Sequence, residues 1–232
     1  MIPTLPPVGG GDLLAAGGLA QLGRPEAWTL HEGADDVFVV RGEPGPAGDG
    51  DRARRLAGGA ALLTMRLVVR LRGRRLHVHL LPDAHDPWTF AHLRVGSALA
   101  PTGAERTLGA ALHPDRRPPG SERVPPAPPS ARTELRRAAE AERGWLVWLE
   151  DDDPHGSLVL GTVDDDPLAH LRAGQAVQRV LLTAAVHGLL GVVETRPLAT
   201  PDARAALRIR LGGGLWPQAV LRVGAHAAPD PR

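Results

Sequence analysis

Three observations on this 232-residue sequence predict a fold that mixes helices and strands throughout, either α+β or α/β. The stretch from Leu168 to Gly191 carries the longest uninterrupted helical pattern. A second helical pattern runs from Asp51 to Arg72. Short β-branched or alternating runs, bounded by Gly, Pro and Asp, lie between and around the two.

The long stretch is the organising element. Leu168, Leu171, Val177, Val180, Leu181, Ala184, Ala185 and Leu189 recur near helical spacing. Asp164 to Asp166 precede it and Pro167 opens it, because acidic side chains and a fixed proline φ both suit a helix start. Gly188 and Gly191 are the expected stop. Charge is confined to Arg172, Arg179 and His187, so this helix should be central rather than peripheral.

In chain order, Met1 to Gly11 reads as a loose arm. Asp12 to Leu22 reads as a short helix, Trp28 to His31 and Val37 to Arg41 as strands, and Glu43 to Gly50 as a loop. In Asp51 to Arg72, Leu56, Ala60, Leu63, Leu67 and Leu71 share a face. Arg52, Arg55, Arg66, Arg70 and Arg72 read as a mostly solvated rim. Arg75 to Leu81 and Thr89 to Val95 are strands around an HDPW turn, and Thr102 to Leu112 is helical. His113 to Ser130 is proline-dominated and without apolar periodicity, so it reads as a linker between halves 1–112 and 131–232. Thr133 to Arg143 is a charged helix. Gly144 to Glu150 and Ser157 to Val163 are strands, Pro201 to Arg210 a helix, and Trp216 to Val223 the closing strand. The halves share an order of helix, strand, strand, helix, with no repeat visible in the residues themselves.

Composition excludes several chemistries. The chain has no Cys, Tyr, Lys or Asn, and all 27 of its basic residues are Arg. Thiol nucleophiles, disulfides, Cys-held metal clusters, a lysine Schiff base and a P-loop lysine are therefore ruled out. A net charge of +1 points to neither nucleic acid nor an anionic membrane as partner. The N-terminus lacks the basic and apolar regions of a secretory signal. The most apolar run, Ala60 to Leu71, is broken by Arg66 and Arg70. Cytoplasm is the expected compartment.

No motif fixes a metal or hydrolytic site. His77 and His79 alternate on one strand face, with Asp83, His85, Asp86 and His92 nearby, but no third ligand is set by spacing. Asp151 to Asp153 and Asp164 to Asp166 read as solvated turns and a helix start. GxSxG and GxGxxG are absent. The pairs Arg54–Arg55, Arg74–Arg75 and Arg116–Arg117 are candidate phosphate donors.

The segment AGQAVQRVLLTAAVHGLLGVVETRPL, followed by GGGLWPQAVLRVG, resembles the C-terminal part of the actinobacterial Acg-type branch of the FMN-binding nitroreductase family. That branch has a helix of the type AGxALQRVLLxAxxxGL, a WPQ-type turn and a last strand LRxG. The fit is most specific from Leu158 to Gly224. Arg24 to Val40, Arg55 to Asp83 and Ala111 to Pro119 resemble earlier parts of the pattern. The resemblance implies an α+β, nitroreductase-like fold with mixed or antiparallel sheets, two related halves in one chain and a central buried helix. It implies FMN as cofactor, NAD(P)H as electron donor and a small organic substrate. It carries Trp28, Arg116, Arg117 and the loop Leu189, Leu190, Gly191, Val192 over as cofactor-binding candidates. Arg116 and Arg117 would take the phosphate and the loop would be a backbone platform for the ring.

The chain departs from the branch before Trp28. The family's Ser, His, Asn and Gln are replaced there by Gln21-Leu22-Gly23-Arg24-Pro25-Glu26-Ala27. It is also shorter between Arg143 and Ser157. These departures give the alternative expectation: a protein of the same fold that has lost flavin chemistry. It would serve as a partner subunit, a ligand-sequestering protein or a non-redox enzyme using His77, His79 or His187. Exposed apolar surface at the shortened region points to a homodimer or a heteromer with a paralogue.

Overall fold

The computed structural model describes residues 8–22, 27–34, 37–44, 49–112, 127–149, 157–194 and 196–225. In order these form α1 (Gly10–Gly18), β1 (Thr29–Glu32), β2 (Val37–Arg41), α2 (Asp49–Leu71), β3 (Arg74–Leu80), β4 (Thr89–Ala98) and α3 (Gly103–Ala110). After them come α4 (Pro129–Glu140), β5 (Trp145–Trp148), β6 (Ser157–Thr162), α5 (Pro167–Val186), β7 (Leu189–Glu194), α6 (Pro201–Arg210) and β8 (Trp216–Ala225). The class is α+β.

Two four-stranded antiparallel sheets result, in the orders β1-β2-β4-β3 and β5-β6-β8-β7. The second order repeats the first, strand for strand. The chain is thus two topological copies of helix, strand, strand, long helix, strand, with a final strand inserted beside the second. One strand departs from the sequence expectation. β7 occupies Leu189–Glu194, where the apolar pattern predicts helix as far as Gly191. Helix α5 stops at Val186, and Gly188 turns the chain at φ +69°, a region that favours glycine.

The long helices α2 and α5 lie back to back between the sheets. One core cluster joins α1, α2 and the first sheet and reaches Leu171 of α5; the other joins α4, α5 and the second sheet and reaches Leu56 of α2. The layers run sheet, helices, helices, sheet. Both helices are buried nearly all round at their centres, so α2 is as central as α5. The outer face of the second sheet is covered by α6 and a short turn at Arg196–Leu198, which pack Leu198, Leu207 and Leu211 on Val159 and Val220. This cover explains why every residue of β6 is buried. The outer face of β3 has no such cover and exposes Arg75, His77 and His79. Among the described residues no helix is long and apolar enough to cross a membrane.

Candidate functional site

The described sequence-derived candidates divide between the two cores. Trp28 is 6% exposed and packs in the first core, where a Cβ on Gly17 would meet its ring at 2.5 Å. Leu189 packs in the second core, and Gly191 lies against Leu181. Leu189, Leu190, Gly191 and Val192 form an edge strand rather than a loop, paired with β8 on one side only. An edge strand still offers a row of backbone N–H and C=O groups on its free side. Arg116 and Arg117 lie outside the described residues.

A buried amide links the approach to Trp28 with the central helix. Gln178 is fully buried on α5, and its Oε1 accepts the backbone N–H of Gln21 at 2.8 Å. Its Nε2 has no protein partner. The neighbouring Leu22 packs against both core clusters. Against the same helix, Glu142, just after α4, is 8% exposed and accepts Nε and Nη2 of Arg179 at 2.8 and 2.6 Å, together with Nη2 of Arg66. Arg66 also donates to Gln175 at 3.2 Å. One carboxylate thus ties α2 to α5 and to the end of α4.

The most developed polar constellation sits at the N-terminal ends of the two long helices. Here a cleft of about 410 Å³ is lined by Asp51, Arg52, Arg55, His170, Pro201, Arg204, Ala205 and Trp216. Asp165, in the turn before α5, anchors one wall. It accepts Nη1 of Arg204 at 2.8 Å, Nη2 of Arg204, Nε2 of His170 at 2.9 Å and Nε2 of Gln218 at 3.1 Å. Burial pushes the Asp165 carboxyl up, but these bonds and the Arg204 charge outweigh it and hold the group well below the usual carboxylate range. Burial pushes the His170 imidazole below its ordinary value, against the pull of Asp165. His170 is therefore neutral near pH 7. Its Nε2 must carry the proton, because an ionised carboxylate can only accept. Nδ1 is then a bare acceptor, and it is buried without a partner.

The other wall comes from α2. Arg52 donates to the carbonyls of Gln218 and Leu198 at 2.5 and 3.4 Å. Arg55 is 8% exposed, lies 4.5 Å from the Trp88 ring centroid, and has a buried Nε without a hydrogen-bond partner. Burial lowers its pKa and the Asp51 charge raises it. A guanidinium nevertheless stays charged in this range.

Several sequence expectations change here. Arg52 and Arg55 are buried rather than a solvated rim. Asp165 is not a solvated turn residue but the hub of a part-buried network. His77 and His79 do share the exposed face of β3, and no group of three metal-binding side chains occurs among the described residues. His187 caps α5 and is exposed. Asp151 to Asp153 lie outside the described residues. The residues that sequence reasoning missed are Asp165, His170, Arg204 and Gln178. The signal for the first two was Asp165 set five positions before His170 across a helix start. Arg204 and Gln218 come from distant elements and carry no local signal.

No protein-family model matches the chain. Two curated proteins of Mycobacterium tuberculosis, one from each of two strains, bear the name "Putative NAD(P)H nitroreductase". Each is 48% identical to the chain over 77 residues. The matched stretch is 33% of this chain and 22% of each relative's length. This partial likeness, with the α+β architecture of two antiparallel sheets, supports kinship with the nitroreductase family.

Proposed function

We propose that the chain is an FMN-dependent, NAD(P)H-linked oxidoreductase acting on a small organic substrate, of the Acg-type nitroreductase branch. The observation that carries the reading is the 48% identity over 77 residues to proteins named as NAD(P)H nitroreductases. Bound FMN would supply two-electron transfer between NAD(P)H and an organic acceptor.

One buried group among the described residues is of the kind that would meet such a cofactor. Gln178 holds an orphaned, fully buried N–H donor beside Gln21, which suits the acceptor-rich edge of a flavin ring. The free edge of β7, Leu189 to Val192, gives a backbone platform. Arg116 and Arg117 are proposed for the phosphate, as bidentate donors to its oxygens. Trp28 contributes by packing the first core. The chain's part is to bind and orient the cofactor and to exclude water.

The second reading, a protein of this fold without flavin chemistry, is favoured by the segment before Trp28, which lacks the family's polar groups. A visible absorption spectrum decides between the two. A flavin band that survives gel filtration after addition of FMN supports the oxidoreductase, followed by NAD(P)H oxidation with nitroaromatic and quinone acceptors. A colourless protein that takes up no FMN overturns it. Replacing Arg116 and Arg117 with Ala should weaken FMN binding; unchanged affinity would move the phosphate elsewhere. Assembly as a homodimer or with a paralogue in the cytoplasm is part of this proposal, tested by light scattering and by fractionation.

A further inference from the structure

We infer that the cleft between the N-terminal ends of α2 and α5 is a second ligand site, for a singly protonated phosphate monoester, held by Arg55 and His170. The inference does not rest on the flavin reading and stands if the protein is colourless.

Three buried polar atoms in the cleft's lining lack a hydrogen-bond partner: Arg55 Nε, His170 Nδ1 and Asp51 Oδ1, the last lying 3.7 Å from Arg54 Nη1. Arg55 is a buried cation whose Nε finds no acceptor, and the Trp88 ring and the Asp51 charge offset only part of the cost of its burial. His170 is a buried neutral imidazole, its Nε2 committed to Asp165, its Nδ1 lone pair without a donor. The two residues hold equivalent places, each just before the leucine of a Leu-x-x-Gly segment in its own helix. The charged groups at the cleft are Arg52, Arg55 and Arg204 against Asp51 and Asp165, the last paired with Arg204 and hydrogen-bonded behind His170. Positive charge prevails, so the ligand is an anion. A carboxylate or sulfate would satisfy Arg55 but set a bare oxygen against the Nδ1 lone pair. A monoprotonated phosphate presents O⁻ to the guanidinium and P–OH to the imidazole, so Arg55 and His170 are both satisfied. The volume of about 410 Å³ admits a small organic phosphate.

The sign of the pH dependence follows. The second phosphate pKa is about 6. As pH falls from about 8 the monoanion grows, and binding tightens as long as His170 is neutral. Once His170 itself protonates, Nδ1 becomes a donor and the preference over sulfate disappears.

The test is calorimetric titration of the full chain with inorganic phosphate and with sulfate. Near pH 6, phosphate is expected to bind about tenfold tighter than sulfate, with the ratio shrinking toward pH 8. Arg55→Gln should lose both anions. His170→Ala should bring the ratio close to one. Equal binding of the two anions by the unmodified chain overturns the inference, and so does unaltered affinity in a folded Arg55→Gln variant. The phosphate-to-sulfate ratio of the unmodified chain needs no variant to fold. If the protein carries FMN, phosphate at saturating concentration should leave the flavin band in place; release of flavin would mean that the cleft is the flavin's own phosphate site.

Discussion

Gly59 and Gly174 face each other's helix across a pseudo-twofold axis. A Cβ on Gly59 would stand 2.1 Å from the Leu171 carbonyl oxygen, and one on Gly174 would stand 2.0 Å from that of Leu56. The contact is reciprocal: each Leu-x-x-Gly segment sets its leucine carbonyl against the other's glycine. Close approach of α2 and α5 at this point fuses the two cores.

The first prediction concerns this crossing. Gly→Ala in a helix ordinarily gains roughly 0.5–1 kcal/mol. At Gly59 or Gly174 the obstacle is backbone, which cannot rotate away, so the sign should reverse. A loss of about 3 kcal/mol is expected for either alanine, at the upper end of overpacking costs. Gly11→Ala, on the open face of α1 with no atom within 4 Å, should be neutral or stabilising. Urea unfolding of the three variants checks the contrast; equal effects at all three positions would remove the argument.

The second prediction concerns acid. Glu105 closes a capping box with Thr102 and takes Nε and Nη2 of Arg70, each at 2.9 Å. The Arg70 hydrogen bonds, outweighing a rise from burial, hold its carboxyl at about 2, below the ordinary 4.5. The folded value lies below the unfolded one, so the stabilisation is complete above about pH 4.5 and is lost as pH falls toward 2. Asp165 acts in the same direction. His170, buried neutral, adds a loss that begins as pH falls through its unfolded value near 6.5. Glu105→Gln should flatten the stability curve between pH 4.5 and 2, and His170→Ala the part near 6. An unaltered acid limb in Glu105→Gln would show that the Arg70 pair contributes nothing.

Much of the fold was legible because period and punctuation agreed. The expected spans of β2 and α6 match the structure, since Val37 to Arg41 and the Thr200-Pro201 start each carry clear local signals. β7 was hidden because Leu189 to Val192 continues the apolar run of α5, and only the φ of Gly188 separates them. The candidate site was far less legible. Arg55 looks like surface charge until Trp88 and α5 close over it. Asp165 looks like a helix-start acid until Arg204 and Gln218 arrive from α6 and β8. Pairings made by the second sheet's late elements leave no trace in local pattern.

A third prediction separates structure from binding at Gln178. Gln178→Leu removes the acceptor for the Gln21 N–H and the orphaned Nε2 together. Losing that one hydrogen bond should cost about 1 kcal/mol of stability. If the amide serves a flavin, FMN affinity in the same variant should fall by roughly tenfold, the equivalent of one lost hydrogen bond to a buried acceptor. Thermal unfolding and flavin titration read the two effects independently. A stability loss with unchanged FMN affinity would confine Gln178 to holding the chain before Trp28.

The last prediction concerns Glu142, which follows α4 and precedes Arg143 in a left-handed conformation at φ 61°. That turn directs the carboxylate back toward α2 and α5, where it meets Arg66 and Arg179. Glu142→Gln keeps the shape and removes the charge, leaving two guanidinium groups facing each other with a neutral amide between them. Breaking a buried pair by deleting one partner typically costs 3–5 kcal/mol; the partial exposure of Arg66 and Arg179 brings the expectation to about 3 kcal/mol. Because the carboxylate is buried, added salt should recover little of that loss. Replacing Arg179 as well, by Gln, relieves the repulsion, so the double variant should be less destabilised than the sum of the singles. Urea unfolding at low and high salt supplies both comparisons. Strict additivity would mean that the two arginines do not share the carboxylate.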